Sequence, residues 1–266
     1  MTDTLPPLLL VGCGKMGGAM LAGWRERGLS QAAIVDPNLA SAPEGAMLLR
    51  RPEEVPPGFT PAAVVIAIKP QEAAATLGHY ARFAAHAVFV SVMAGRNLAG
   101  MRGLLGQGAS IVRAMPNTPA AVRRGVTVAC AGAGVSAAQK ALADTLLGAT
   151  GEVAWVEEEG LLDPVTAVSG GGPAYVFLLA ELLEKAAIEQ GIPGDLARRM
   201  ARATVAGSGA LLAASAEDAA QLRKNVTSPK GTTERALAVL MAETAWPEHI
   251  SRAIAAATAR SRELAG

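Results

Sequence analysis

Hydrophobic positions follow different patterns in the two halves of the chain. In the first half, short apolar runs alternate with stretches in which apolar residues recur every three or four positions. The runs predict buried strands and the stretches predict helices. The predicted strands cover 8–11, 32–35, 62–68, 87–92, 110–113, 126–130 and 153–156. Strands that alternate with helices predict an α/β fold with a doubly wound, mostly parallel sheet.

The alternation breaks between residues 43 and 61, which are rich in proline and show little periodicity, so any helix there is short or absent. From about residue 161 onward no strand-like run occurs. Predicted helices cover 161–168, 174–190, 195–214, 217–224, 232–245 and 247–264. We therefore predict two domains, an α/β domain at 1–160 and an all-helical domain at 161–266.

A glycine-rich turn, Gly12-Cys13-Gly14-Lys15-Met16-Gly17, separates the first predicted strand from the first helix. In this context a G-x-G-x-x-G spacing indicates a dinucleotide site. Gly12 allows the tight turn, Gly14 lets the backbone approach a pyrophosphate, and Gly17 lets the helix pack close to the strand. The N–H groups at the helix start would face the phosphates. The alternative is a plain strand–helix turn, and the flanking elements make it the weaker one.

Asp36 ends the second predicted strand, 19 residues after Gly17. An acidic residue at about this distance contacts a ribose hydroxyl in NAD sites. An ordinary aspartate at a strand end would give the same pattern, so both interpretations stay open.

Three more segments follow predicted strands: Ile68-Lys69-Pro70, Val92-Met93-Ala94-Gly95 and Met115-Pro116-Asn117-Thr118-Pro119. Ligands of open parallel sheets gather at the carboxyl ends of the strands. Each segment alone is typical of an ordinary loop. Four candidate segments at strand ends, counting the glycine turn, favour a ligand site.

In the helical half, the polar segment 225–233 directly precedes an apolar-periodic helix. N–H groups and hydroxyls at a helix start can hold a carboxylate. The alternative is an ordinary N-cap formed by Ser228 or Thr232, and spacing alone favours it.

Composition narrows the classes of function. Of 266 residues, 51% are hydrophobic and 18% are charged, and the formal net charge is +1, which does not favour a nucleic-acid partner. We find no signal peptide and no apolar run long enough for a bilayer, so a cytoplasmic protein without a membrane partner is predicted. Cys13 and Cys130 match no metal-ligand spacing, so no metal is expected.

Groups for acid–base catalysis are also scarce. His79, His86 and His249 do not follow predicted strands, and no Ser/His/Asp arrangement is readable. The scarcity of these groups favours a reaction in which the protein itself transfers few protons. Hydride transfer to a C=N bond is such a reaction, because the cofactor carries it and the protein orients it.

Taken together, these segments resemble pyrroline-5-carboxylate reductase. The resemblance runs nearly end to end, and it rests on the glycine turn, Lys69-Pro70, Met115–Pro119, Ser169-Gly170-Gly171-Gly172-Pro173-Ala174-Tyr175 and Thr227–Thr233. It implies a Rossmann-like fold and an oxidoreductase that reduces 1-pyrroline-5-carboxylate to L-proline with NADPH or NADH, the last step of proline biosynthesis. It also implies that the helical domain binds substrate and interleaves with a second subunit, giving homodimers that often assemble into decamers.

The resemblance also implies roles for single residues. Thr233 would be the catalytic residue, its hydroxyl bonded to the ring nitrogen, and the substrate carboxylate would be held by Ser228, Gly231, Thr232 and Thr233. The cofactor would be bound by Gly12, Cys13, Gly14, Lys15, Met16, Gly17, Asp36, Ile68, Lys69, Pro70, Ala94 and Asn225.

Two positions depart from the family pattern, which usually has serine at Gly171 and glycine at Lys230. Lys230 would strengthen anion binding or point to solvent. Asp36 would repel a 2′-phosphate, so we expect NADH to serve at least as well as NADPH.

Two other functions were weighed. A β-hydroxyacid dehydrogenase would carry a lysine and, four residues later, an asparagine on the long helix after the α/β domain. The chain has Lys185 and Glu189 there, which argues against that function. A redox sensor or scaffold that binds a dinucleotide without chemistry would not need the segment 228–233.

Overall fold

The computed structural model describes residues 5–29 and 31–265, which form two compact units. One unit contains residues 5–170 and 257–265, and the other contains residues 171–256. The strand pattern does end before residue 160, as the sequence suggests, but the division into compact units falls at residue 170.

The first unit contains eight strands: β1 (Leu8–Val11), β2 (Ala32–Val35), β3 (Ala46–Leu49), β4 (Ala63–Ile66), β5 (Val88–Ser91), β6 (Ser110–Met115), β7 (Gly125–Ala131) and β8 (Gly151–Val156). They form one sheet in the order β3-β2-β1-β4-β5-β6-β7-β8. All pairs are parallel except β6 with β7. The predicted doubly wound, mostly parallel sheet is confirmed.

The described residues contain ten α-helices: α1 (Lys15–Glu26), α2 (Ala73–Thr76), α3 (Leu98–Leu105), α4 (Ala137–Leu147), α5 (Leu162–Val165), α6 (Gly172–Glu189), α7 (Gly194–Ala214), α8 (Ala219–Asn225), α9 (Thr232–Leu240) and α10 (Trp246–Ala265). A π-helical turn, Thr166–Gly170, separates α5 from α6. Short 3₁₀ helices cover Pro52–Glu54, Pro70–Glu72, Leu77–Phe83, Thr118–Val122, Gly148–Thr150 and Glu159–Leu161.

Strands β1, β2, β4 and β5 are buried over their whole length, because helices cover both faces of the sheet. Alternate residues of β1 point to opposite faces. Leu8 and Leu10 join one hydrophobic cluster with Trp24 of α1, while Leu9 joins a second with Phe89. The continuous apolar runs of the sequence are therefore the signature of a sheet buried on both sides.

Several predicted elements differ in detail. Strand β3 lies inside the proline-rich interval, where its four residues are too few to show a period. The spacing of apolar residues predicts a helix over 71–83, but the structure has two 3₁₀ helices around the single turn α2 there. Helix α7 begins at Gly194, one residue earlier than predicted, with Pro193 as its N-cap and Asp195 in its first turn. Helix α9 ends at Leu240, five residues earlier than predicted.

An ion pair with a buried arginine joins the 3₁₀ helix that follows β8 to strand β6. The side chain of Arg113 on β6 is 2% exposed, and its Nη1 donates to Glu159 Oε1 at 2.9 Å. The same carboxylate oxygen accepts the backbone N–H of Leu98 at 2.8 Å, at the start of α3. Nearby, Ser261 of α10 donates to the buried Asp163 at 2.7 Å. These bonds fix the chain end and the start of α5 to the sheet unit.

The second unit leaves much of its apolar surface uncovered. Helices α6 and α7 pack against each other, yet α6 has no buried residue and α7 has only Ala197 and Ala201. Exposed apolar side chains are Val176, Phe177, Leu178, Leu182, Leu183, Ile188, Leu196, Met200, Leu211 and Leu212. Contiguous apolar surface of this kind marks an interaction site.

Among residues 5–29 and 31–265, one helical stretch, Glu159–Glu189, is long and apolar enough to cross a membrane by length and composition alone, whereas the sequence predicted no such run. A single stretch of this kind is weak evidence for a membrane span, because a subunit interface has the same composition.

We predict that Glu159→Ala lowers the free energy of unfolding by about 3 kcal/mol, because it leaves the Arg113 guanidinium buried without its counter-charge. Urea denaturation at one protein concentration measures the loss. Glu158→Ala is the matched control, since Glu158 is exposed and its neighbour makes the ion pair. Equal losses in the two variants would contradict the role assigned to the pair.

Candidate functional site

The strand order of the sheet reverses between β1 and β4. In open α/β sheets, ligands bind outside the carboxyl ends of the strands at such a reversal. The glycine turn follows β1, and Ile68-Lys69-Pro70 follows β4 after one residue. The topology thus brings two of the predicted segments to the place where a ligand is expected.

The three glycines of the turn have different geometries. Gly12 has φ +86°, and a Cβ there would lie 2.8 Å from the Ala67 carbonyl oxygen. A Cβ at Gly17 would lie 2.2 Å from the Gly12 carbonyl oxygen, so the start of α1 is in direct contact with the turn. A Cβ at Gly14 would meet nothing within 4 Å. Gly12 and Gly17 are required by packing, whereas Gly14 borders open space.

Helix α1 begins at Lys15, and its N-cap Gly14 supplies no side-chain acceptor for the first N–H groups. These groups and the positive end of the helix dipole therefore remain available to an anion. Cys13 lies at the same turn, half-buried. Burial, and then the nearby Asp36 carboxylate, raise the pKa of the Cys13 thiol, so it stays protonated near neutral pH.

Asp36 links the end of β2 to the glycine turn. Its Oδ2 accepts the backbone N–H of Cys13 at 2.7 Å. Its Oδ1 accepts the N–H groups of Asn38 and Leu39 at 2.8 and 3.1 Å. The carboxylate thus has a structural role that the sequence did not reveal, and it stands at the edge of the predicted cofactor site.

The loops after β4 and β5 are joined at the same edge of the sheet. Lys69 is the N-cap of the 3₁₀ helix Pro70–Glu72, and the Pro70 carbonyl accepts a hydrogen bond from Arg96 Nε at 3.0 Å. Ala94 precedes Gly95, whose φ of +65° turns the chain after β5. The segment around Ala94 and the segment 68–70 are therefore neighbours.

Asn117 fixes the proline-containing segment after β6. Its Oδ1 accepts the backbone N–H of Val126 at 3.0 Å, and its Nδ2 donates to Ser169 Oγ at 3.3 Å. The bonds connect Met115–Pro119 to β7 and to the π-helical turn before α6. The sequence singled out this segment because it follows a predicted strand, and it did not reveal the role of the Asn117 amide, which no spacing rule marks.

In the helical unit, the segment 225–233 forms a turn at the start of α9. The N-cap is Gly231, whose N–H donates to the Ser228 carbonyl at 3.0 Å, and no side chain caps the helix. A Cβ at Gly231 would lie 2.9 Å from that carbonyl oxygen. The alternative in which Ser228 or Thr232 caps the helix is wrong, so the first N–H groups of α9 remain available for a carboxylate.

Lys230 and Asn225 flank this helix start. Lys230 is exposed and has φ +60°, a conformation that glycine adopts without strain, which explains why a glycine suits this position. Its backbone N–H donates to Glu234 Oε2 at 2.7 Å. The Asn225 amide is bonded to Gln221 and Glu217 at the end of α8.

The chain was compared with protein-family models, curated proteins and solved structures. Residues 159–264 match the family model described as pyrroline-5-carboxylate reductase dimerisation. A pyrroline-5-carboxylate reductase of Pseudomonas aeruginosa is 36% identical over 266 residues, which cover 98% of this chain and 97% of that protein. Pyrroline-5-carboxylate reductase 2 of Bacillus subtilis is 32% identical and covers 96% of this chain and 93% of its own length.

Solved structures agree with these relatives. A pyrroline-5-carboxylate reductase from Coxiella burnetii superposes with a TM-score of 0.91 at 29% identity, covering 99% of this chain and all of that one, 100%. A pyrroline carboxylate reductase from Plasmodium falciparum, solved with NADP bound, gives 0.84 at 25% identity and covers 100% of both chains. With its strand order, its glycine turn and relatives that match it over nearly the whole length, the chain belongs to the pyrroline-5-carboxylate reductase family.

Proposed function

We propose that the chain reduces 1-pyrroline-5-carboxylate to L-proline with NADPH or NADH, the last step of proline biosynthesis. The observation that carries the proposal is a glycine turn at the strand-order reversal together with an uncapped helix start at Gly231, in a chain of this family. The nicotinamide cofactor supplies the hydride when bound. The residues of this chain bind and orient the substrate and the cofactor, and they exclude water from the site. The cytoplasm is the compartment we infer for the reaction.

All but one of the residues assigned to the cofactor lie in the first unit. Gly12, Cys13, Gly14, Lys15, Met16 and Gly17 surround its pyrophosphate, where the open side of Gly14 and the free N–H groups of α1 fit a doubly charged group. Asp36 contacts the adenosine ribose. The segment after β4, Ile68-Lys69-Pro70, also contacts the cofactor. Ala94 lies next to the nicotinamide ribose. Asn225 is assigned to the cofactor by family resemblance.

The substrate is assigned to the start of α9. Ser228, Gly231, Thr232 and Thr233 hold its carboxylate, because an uncapped helix start offers N–H groups and favours negative charge. The Thr233 hydroxyl donates to the ring nitrogen. A hydroxyl is a modest donor that orients and polarises a C=N bond without transferring a full charge, and the reaction needs one hydride at the ring carbon and one proton at the nitrogen.

We further propose that the exposed apolar side chains of α6 and α7 pack against a second copy of the chain. The family model that matches this region describes dimerisation, and a homo-oligomer accounts for apolar surface that a monomer would leave in water. We infer that five such dimers assemble into a decamer. Neither nucleic acid nor a membrane is a partner in this proposal.

We predict that Thr233→Ala lowers kcat with 1-pyrroline-5-carboxylate about 10- to 100-fold, the value of a hydrogen bond to a group that develops charge. Oxidation of NADH and NADPH followed by absorbance measures it. Thr227→Ala is the matched control, because the Thr227 hydroxyl donates to the Arg223 carbonyl of the preceding helix α8 at 2.6 Å. Equal turnover by wild type and Thr233→Ala would remove Thr233 from the reaction.

Cofactor preference gives a separate prediction. We expect kcat/KM for NADH to equal or exceed that for NADPH, because Asp36 repels a 2′-phosphate. Asp36→Asn removes the negative charge and keeps one of the two oxygens that accept backbone N–H groups. It should shift the ratio toward NADPH about tenfold, since contact between like charges costs at least about 1.4 kcal/mol. A large preference of the wild type for NADPH would contradict the role given to this carboxylate.

The assembly is tested with Phe177→Glu. The Phe177 side chain is 68% exposed in the single chain, and a carboxylate there would be buried without a partner in the dimer. Light scattering after size exclusion should show monomers for Phe177→Glu. Met47→Glu is the matched control, since Met47 is 47% exposed on β3 in the other unit, and it should keep the wild-type mass. A Phe177→Glu protein of wild-type mass would place the interface elsewhere.

A further inference from the structure

The carboxyl ends of β2 and β3 lie side by side, so the residues that follow the two strands are neighbours. Val35 pairs with Leu49 in parallel register, and the Asp36 N–H donates to the Leu49 carbonyl at 3.0 Å. Arg50 is the next residue along the chain. The sheet therefore places a guanidinium beside the aspartate assigned to the adenosine ribose, although the two residues are 14 positions apart.

The Arg50 side chain is held over the loop that follows β2. Its Nη1 donates to the carbonyl oxygens of Asp36 and Pro37, both at 3.3 Å, and to that of Leu39. Nε and Nη2 make no hydrogen bond to any residue within 5–29 and 31–265. The group is thus fixed by one nitrogen and keeps donors for a ligand.

The two carboxylates near Arg50, those of Asp36 and Glu54, already accept hydrogen bonds from other groups. The Asp36 carboxylate accepts three backbone N–H groups, which compensate part of its charge. Glu54 accepts the backbone N–H of Arg50 and the side chain of Arg51, at 2.7 and 3.1 Å. These bonds lower the pKa of Glu54, so it remains ionised and bound to its own partners. The Arg50 guanidinium makes no ion pair with a carboxylate of the described residues, whereas its neighbour Arg51 is paired with Glu54.

We propose that Arg50 binds the 2′-phosphate of NADPH, so that the site accepts both cofactors despite Asp36. Planar guanidinium groups with free donors are strong phosphate ligands. An arginine near the ribose is the feature by which dinucleotide folds accommodate the 2′-phosphate. The inference rests on the cofactor assignment in the proposed function, and it names the residue that sets selectivity between the two cofactors.

Calorimetric titration of the full chain with NADP⁺ and with NAD⁺, without substrate, tests the proposal. Arg50→Gln should weaken NADP⁺ binding about 10- to 100-fold, the worth of a charge-assisted hydrogen bond, and weaken NAD⁺ binding far less. Arg50→Lys should fall between wild type and Arg50→Gln for NADP⁺, because it keeps the charge and loses the planar fork. Arg51→Gln is the matched control and should leave the ratio of the two affinities at the wild-type value.

Three results would overturn the proposal. Equal weakening of NADP⁺ and NAD⁺ would mean that Arg50 only supports the loop after β2. Unchanged NADP⁺ affinity in Arg50→Gln, or a wild type that does not bind NADP⁺, would remove Arg50 from cofactor recognition. The binding assay contains no 1-pyrroline-5-carboxylate, so absence of turnover with that substrate would defeat the proposed function and leave the Arg50 result standing on its own.

Discussion

The close approach of α1 to the first strand is the constraint on which the rest of the α/β unit depends. A side chain at Gly17 would overlap the Gly12 carbonyl, and one at Gly12 would overlap the loop after β4. Both positions therefore require glycine for packing, before any ligand is considered. The same approach aims the N–H groups of α1 at the point where the strand order reverses. The packing that requires glycine at this turn is therefore also what orients the N–H groups toward a ligand.

The edge of the sheet around this turn is held by bonds between loops that are distant in sequence. Asp36 fixes the glycine turn to the end of β2, Arg96 fixes the loop after β5 to the loop after β4, and Asn117 fixes the segment after β6 to Ser169. Each bond joins a side chain to a neighbouring loop rather than to its own. Hydrogen bonds between loops keep the backbone of a binding site in one conformation, and this lowers the entropy lost when a ligand binds.

The two units gain their stability in different ways. The sheet unit has hydrophobic clusters on both faces and a buried ion pair, so its core is complete in one chain. The helical unit exposes large apolar side chains such as Phe177 and buries almost none along α6 and α7. In the proposed dimer a second copy would remove this surface from water, so folding and assembly of the helical unit are expected to be coupled.

The sequence by itself determined the α/β class, seven of the eight strands, the helical second half, the glycine turn and the family. Buried parallel strands and amphipathic helices produce clear local patterns of hydrophobic residues. A turn that requires glycine is recognised from the spacing of its glycines. The sequence did not determine β3, because four residues in a proline-rich interval carry no period. It also did not reveal that Lys230 adopts a left-handed conformation or that Gly231 caps α9 without a side chain. The contacts of Asp36, Asn117, Arg113 and Arg50 were decided only by the tertiary structure, because parallel pairing brings together residues whose separation along the chain follows no rule.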